Sequence, residues 1–151
     1  MKRLLIVYHT QSGSTERLAY AAADGAGREA GVESRLLRAM EAGAADLRWC
    51  EGLLLASPEN FGYLSGGMKD FLDRSYYAVL EEQLNRACAL IISAGNDGEG
   101  ALRQLRRILS GYPMREVAEP LIVRGEPDAA ALQRASDLGQ ALAAGLDLGI
   151  F

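Results

Sequence analysis

The chain has 151 residues, 49% of them hydrophobic, and its 16 basic and 20 acidic side chains give a net charge of −4. This length favours a single domain spanning residues 1–151, and the mild acidity argues against nucleic acid or an anionic membrane as the main partner, because both require a basic face. The two cysteines lack CxxC spacing and the single histidine cannot complete a common zinc set, so we expect no metal site, reduced thiols and a cytoplasmic protein.

Short apolar runs alternate with helical patterns along the chain. The predicted strands are Leu4–Tyr8, Val32–Leu37, Leu53–Ala56, Ala89–Ile92 and Leu121–Val123. The predicted helices are Thr15–Gly27, Gly66–Leu80, Glu99–Leu109 and Pro127–Leu146. The segment Arg38–Glu51 is either a short helix or a loop, and Pro127 is placed at a first helical position. The first apolar run is too short for a signal peptide or a membrane span.

Most of these apolar runs show no polar alternation, which is typical of parallel strands buried on both faces. Strict alternation of strands and helices predicts an α/β protein. We expect a three-layer sandwich with a five-stranded parallel sheet in the order 2-1-3-4-5, the flavodoxin-like arrangement. Ligands of such sheets bind beyond the carboxyl ends of the strands. Three glycine-containing polar loops should therefore converge there, namely His9–Thr15, Ser57–Gly67 and Ser93–Gly100.

The first loop, in "YHTQSGSTERLAYAAADGAG", places four hydroxyl residues around Gly13 where a helix begins. A helix N-terminus offers free N–H groups and the positive end of its dipole, which favours a bound anion. The loop has neither GK[ST] nor GxGxxG and contains no lysine, which suits a phosphate held by neutral hydrogen bonds. The alternative is an ordinary turn in which Ser12 or Ser14 is the N-cap.

The segment "HTQSGSTE" resembles the flavodoxin loop that holds the phosphate of flavin mononucleotide (FMN). The resemblance implies a phosphate-binding role for six consecutive residues. These are Thr10, Gln11, Ser12, Gly13, Ser14 and Thr15.

The second loop, in "SPENFGYLSGGMKDFLDRSYY", is similar from Pro58 to Asp73 to WrbA-type NAD(P)H:quinone oxidoreductases, and more loosely to NADPH-dependent FMN reductases. In those families this loop holds the isoalloxazine ring. The resemblance implies ring contacts from Pro58, Glu59, Asn60, Phe61 and Gly62. The aromatic rings of Phe61 and Tyr63 either support a flat ligand or simply cover the loop. Lys69 and Asp73, four residues apart on a helix, are predicted to form a structural ion pair.

The third loop, in "SAGNDGEGALRQL", takes the position of a glycine-rich loop that contacts the pyrimidine side of the flavin in the resembling families. The implied contacts are Ser93, Ala94, Gly95, Asn96, Asp97 and Gly98. The alternative is a ligand-free turn that leads into a helix. If Asp97 and Glu99 point inward, their charges disfavour an anionic reduced flavin.

Because the third loop contains no aromatic residue, one face of the flavin should be open to NAD(P)H and to an acceptor. This favours an oxidoreductase that passes electrons from NAD(P)H through FMN to a quinone or similar molecule. The alternatives are a flavodoxin-type electron carrier and a flavin-free interaction module. No catalytic side chain is expected, and His9 is interpreted as a neutral loop residue. Expected partners are a small-molecule acceptor, a redox protein and a second copy of the chain.

Overall fold

The computed structural model describes residues 1–151 as seven strands and five helices, which alternate along most of the chain. In chain order they are β1 Lys2–Tyr8, α1 Ser14–Ala26, β2 Val32–Arg38, α2 Ala44–Trp49, β3 Gly52–Asn60, β4 Tyr63–Leu64, α3 Gly66–Val79, β5 Ala87–Ala94, α4 Glu99–Ser110, β6 Arg115–Glu116, β7 Leu121–Arg124 and α5 Ala129–Asp147. A short 3₁₀ turn, Leu80–Glu82, follows α3 directly.

The sheet runs in the order β2-β1-β3-β5-β6, and all of these neighbours are parallel. Strand β6 pairs with the beginning of β5, and strand β7 pairs with the end of β5. The two short strands therefore occupy together the fifth position of the sheet. The predicted order is therefore confirmed, with its last strand divided in two. Pro120, just before β7, has no N–H to donate to the ladder, which fits the interruption between them. Strand β4 forms a short antiparallel hairpin with β3.

The three central strands are buried on both faces, as the unbroken apolar runs predict. All eight residues of β5 are buried, and successive residues of β3 supply opposite sides of the sheet. Leu53 and Leu55 belong to a core with Phe71 of α3, whereas Leu54 and Ala56 pack on the side of α1 and α5. The edge strand β2 has mixed burial. Helices thus cover both faces, giving the three-layer sandwich.

Hydrogen bonds at helix ends correct one prediction and decide between two alternatives that the sequence left open. Helix α5 begins at Ala129 rather than at Pro127, because the Asp128 carboxylate accepts a hydrogen bond from the Ala131 N–H at 2.8 Å and makes Asp128 the N-cap. In the uncertain segment Arg38–Glu51, a short helix does form, and the Asp46 carboxylate accepts from the Gly43 N–H at 3.0 Å.

Both cysteines are free and buried, as expected for reduced thiols. None of the helices combines the length and the apolar character that crossing a membrane requires. At the end of the chain, the Phe151 ring packs against Gly145, whereas Leu148 and Ile150 remain exposed.

Candidate functional site

The predicted loops meet at the carboxyl edge of the sheet around a cavity of about 380 Å³, a size typical of small-molecule sites. Ten of its twelve lining residues come from the three predicted loops. The lining consists of Gln11, Ser12, Ser14, Thr15, Pro58, Glu59, Asn60, Ser93, Ala94, Gly95, Gly125 and Glu126. The cavity contains no lysine or arginine, so any anion there is held by neutral donors.

The first loop leaves the N-terminus of α1 without a side-chain cap. Gly13 is the N-cap residue, with φ of 100°, and no side chain accepts from the first turn. The ordinary capped turn with Ser12 or Ser14 at the N-cap is therefore wrong. Thr10 Oγ1 accepts a hydrogen bond from the Gly13 N–H at 2.9 Å, which stabilises the turn from outside the cavity. Glycine is needed at this φ because other residues carry a steric cost there.

Polar donors at the start of α1 therefore border the cavity. Ser12 and Ser14 add hydroxyl groups to the free N–H groups of the first helical turn. Aligned peptide dipoles give this end the equivalent of about half a positive charge. A phosphate group fits such a donor set without a lysine.

The second loop is a tight hairpin between β3 and β4. Asn60 pairs with Tyr63, and the two residues between them, Phe61 and Gly62, have φ values of 54° and 72°. Positive φ at both central positions is characteristic of a type I′ turn. The Phe61 side chain is fully exposed, and neither Phe61 nor Gly62 lines the cavity. Pro58, Glu59 and Asn60 are the residues of this loop that do.

A pair of buried serines fixes the base of this hairpin. Ser57 Oγ accepts from the Ser65 N–H at 3.1 Å, and Ser65 Oγ accepts from the Met68 N–H at 3.2 Å, which caps α3. Sequence reasoning did not assign either role. A serine directly before a helical pattern is nevertheless an N-cap signal, so the Ser65 cap could have been found.

The third loop contributes only its first half to the cavity. Ser93, Ala94 and Gly95 line it, whereas Asn96 and Asp97 are exposed outside it. Asp97 Oδ1 accepts from the Glu99 N–H at 3.0 Å, so its carboxylate is turned toward its own backbone. The condition under which Asp97 would oppose an anionic flavin, an inward-pointing carboxylate, is therefore not met. Gly98 is buried beneath Ile92 and Ile122.

Two features of the site were missed by the sequence analysis. The Glu59 carboxylate reaches α4, accepting from the Gly98 N–H at 3.2 Å and from the Ala101 N–H at 3.5 Å. The loop after β7 adds Gly125 and Glu126 to the lining. This fourth loop could have been expected, since the carboxyl end of every parallel strand opens at the same edge.

Three other residues discussed in the sequence analysis lie outside the cavity. The His9 ring packs against Gly67 at the start of α3, and its Nδ1 is buried without a hydrogen-bond partner. The predicted Lys69–Asp73 ion pair is confirmed, with Nζ–Oδ1 and Nζ–Oδ2 distances of 2.7 and 2.8 Å. The Asp73 carboxylate raises the pKa of Lys69 through a hydrogen bond, and the pair lies on the exposed surface of α3.

Fold and cavity together define a flavodoxin-like protein whose first loop offers donors suited to a phosphate group. The family described as NADPH-dependent FMN reductase matches residues 38–126, more than half of the chain, and includes the second and third loops. The chain belongs to this family of flavodoxin-like, FMN-binding oxidoreductases. The first loop lies outside the matched segment.

Three similar proteins support this assignment at different levels. A flavodoxin of Aquifex aeolicus is 40% identical over 100 residues, covering 66% of this chain and 54% of that protein. An NAD(P)H dehydrogenase (quinone) of Archaeoglobus fulgidus is 26% identical over 97% of this chain and 87% of that protein. The 100 aligned residues span about half the length of the Aquifex aeolicus flavodoxin. A WrbA-like flavodoxin structure from Agrobacterium tumefaciens, 17% identical, covers 99% of both chains with a TM-score of 0.79, which supports the fold.

Proposed function

We propose that the chain holds FMN in the four-loop cavity and passes electrons from NAD(P)H to a quinone or a similar small acceptor. The observation that carries this proposal is the composition of the cavity. The cavity is lined by the N-terminus of α1, which has no side-chain cap, and by residues of the second and third loops. No aromatic side chain lines the cavity. The relative named as a quinone-dependent NAD(P)H dehydrogenase is aligned over nearly the whole chain and adds support.

At the phosphate end, the first turn of α1 and the hydroxyls of Ser12 and Ser14 would donate hydrogen bonds to the FMN phosphate. Thr10 keeps the Gly13 turn in place from behind. These contacts use the helix dipole instead of a cationic side chain. A tightly held phosphate anchors the cofactor and leaves its ring at the second and third loops.

At the ring end, Pro58–Asn60 and Ser93–Gly95 would border the flavin. FMN supplies the two-electron chemistry when it is bound, and the protein supplies orientation and access. The lining contains no aromatic residue to cover the outer face of the ring, so a nicotinamide or a quinone can stack there. Glu59 and Glu126 are the only carboxylates in the lining, and no side chain is assigned a proton-transfer role.

The second candidate function is that of an electron carrier without NAD(P)H oxidase activity. One specific observation favours it, since the relative with 40% identity is named a flavodoxin. A carrier would take electrons from a redox protein instead of from a dinucleotide. Both functions require the same FMN site and differ in whether NAD(P)H reduces it.

The test is a visible absorption spectrum of the protein loaded with FMN and titrated anaerobically with NADH or NADPH. We expect the flavin absorption to bleach, and added benzoquinone to restore it. If neither NADH nor NADPH bleaches the bound FMN, the carrier function is supported instead. A protein that takes up no added FMN would point to the flavin-free interaction module.

A further inference from the structure

We infer that Glu59 is a positioning residue, which joins the two ring-side loops by capping α4 from the β3–β4 hairpin. The inference rests on the proposed FMN site and deepens it. Its consequence is that affinity for the flavin ring depends on a carboxylate whose polar contacts are with the backbone of another loop.

Helix α4 has a local side-chain acceptor for only one N–H of its first turn, because Asp97 Oδ1 accepts from the Glu99 N–H. Its N-cap residue is Gly98, which has no side chain to accept from the first-turn N–H groups. Glu59 supplies the missing acceptor across 39 residues of sequence, with Oε1 at 3.2 Å from the Gly98 nitrogen and Oε2 at 3.5 Å from the Ala101 nitrogen. An ionised carboxylate is also favoured there by the positive end of the helix dipole.

The backbone of the hairpin approaches the same helix turn. A Cβ atom added to Gly100 would collide with the Gly62 carbonyl, so only glycine permits this contact. The hairpin therefore meets α4 at two points, through the Glu59 carboxylate and through the Gly62 backbone. Because Pro58–Asn60 and Ser93–Gly95 flank these contacts and line the cavity, the two ring-side loops are held as one unit.

Glu126 provides a matched comparison in the same cavity. It is exposed, lines the cavity from the loop between β7 and α5, and its carboxylate makes neither a hydrogen bond nor an ion pair. Glu126→Gln removes one negative charge from the site and nothing else. Glu59→Gln removes the same charge and also one acceptor, because an amide can accept through its oxygen but not through its nitrogen.

The first measurement is amide hydrogen exchange of the FMN-free protein over residues 98–102. Glu59→Ala and Glu59→Gln should exchange about tenfold faster there than the parent protein, as for loss of a charged helix cap. Glu126→Gln should leave the segment unchanged. Equal exchange in all variants would show that the Glu59 contacts do not hold α4, and the inference would be overturned.

The second measurement is equilibrium binding of FMN and of riboflavin. Because Glu59 acts at the ring, Glu59→Gln should weaken both ligands by a similar factor, about tenfold. Ser12→Ala, at the phosphate end, should weaken FMN and leave riboflavin unchanged. A positioning role would be contradicted if Glu59→Gln lowered the affinity for FMN but not for riboflavin. It would also be contradicted if Glu126→Gln lowered both affinities by the same factor as Glu59→Gln.

The two proposals fail in different ways. If Glu59→Gln binds both flavins as the parent does, the inference fails while the FMN site stands. If the parent itself binds no flavin, the proposed function fails and the inference fails with it. Should Glu59→Ala be too unstable to purify, Glu59→Gln retains the side-chain shape and carries the test alone.

Discussion

Phe61 combines two features that rarely occur together, since its backbone is in the left-handed region and its side chain is fully exposed. Both central residues of a type I′ turn have positive φ, and Asn-Gly is the favoured pair. A phenylalanine there carries a steric cost of about 1 kcal/mol and buries nothing in return. Such departures from local preference tend to occur at functional sites, and Phe61 directly follows Asn60, which lines the cavity.

Replacing Phe61 with asparagine should therefore stabilise the protein. We expect Phe61→Asn to raise the free energy of unfolding by about 0.5–1 kcal/mol, because Asn tolerates positive φ better than Phe. Urea denaturation would measure it. The control is Phe61→Ala, which removes the ring but keeps the steric cost, and should change stability by less than about 0.5 kcal/mol. Equal stabilisation by both variants would assign the cost to the exposed ring instead of to the backbone.

At the scale of elements, α1 and α5 pack together through small residues. A Cβ atom on Gly139 would overlap the Ala22 carbonyl, and one on Gly25 would overlap the Ser136 carbonyl. The alanine-rich pattern of α1 has its explanation in this close approach. Small residues let two helix backbones approach on one face of the sheet, while larger side chains such as Phe71 fill the other face.

Gly139→Ala should consequently destabilise the protein by about 2–3 kcal/mol, even though alanine favours helix formation, because the added methyl group has no room. Chemical denaturation with an unchanged m-value would measure the loss. Gly66→Ala is the matched control, since Gly66 also lies in a helix but has open space at its Cβ position. That variant should be neutral or slightly stabilised. A neutral Gly139→Ala would show that the two helices can separate at little cost.

The sequence predicted elements more reliably than their ends. Unbroken apolar runs identified the buried strands, because burial on both faces leaves a simple pattern. The start of α5 was missed because Asp128 competes with Pro127 for the helix end, and a hydrogen bond decides between them. The split of the fifth strand was missed for a similar reason, since ladder pairing depends on β5 as well as on the residues of β6 and β7.

At the scale of the whole molecule, the site was predictable in its location and less so in its details. Topology alone brings strand ends to one edge, which is why the three loops were found. Where each side chain turns is set by contacts between loops. Glu59 binds α4 and Phe61 points to solvent, and neither outcome has a local sequence signal. Asp97 binds the backbone two residues further on, a local contact that aspartate favours in turns.

The buried thiols make a prediction for the stability of the whole fold at alkaline pH. Burial raises the pKa of Cys50 to about 11, and burial together with the Glu116 carboxylate raises the pKa of Cys88 to about 12. In the unfolded chain both thiols ionise near pH 9. Between that pH and the folded values, the folded state holds more protons than the unfolded state. Stability is therefore intact below about pH 8 and falls as the pH rises.

The expected loss is about 2–3 kcal/mol between pH 8 and pH 10 for the two thiols together, measured as the free energy of unfolding in urea at each pH. Cys88→Ala should reduce the loss by about 1–1.5 kcal/mol, because one thiol is removed while Cys50 and the tyrosines Tyr8 and Tyr112, whose pKa values are also raised, still contribute. Its packing defect lowers stability by the same amount at every pH, so the slope isolates the titration from the cavity. An unchanged slope in Cys88→Ala would mean that this thiol ionises equally in both states, and that the core around β5 admits water.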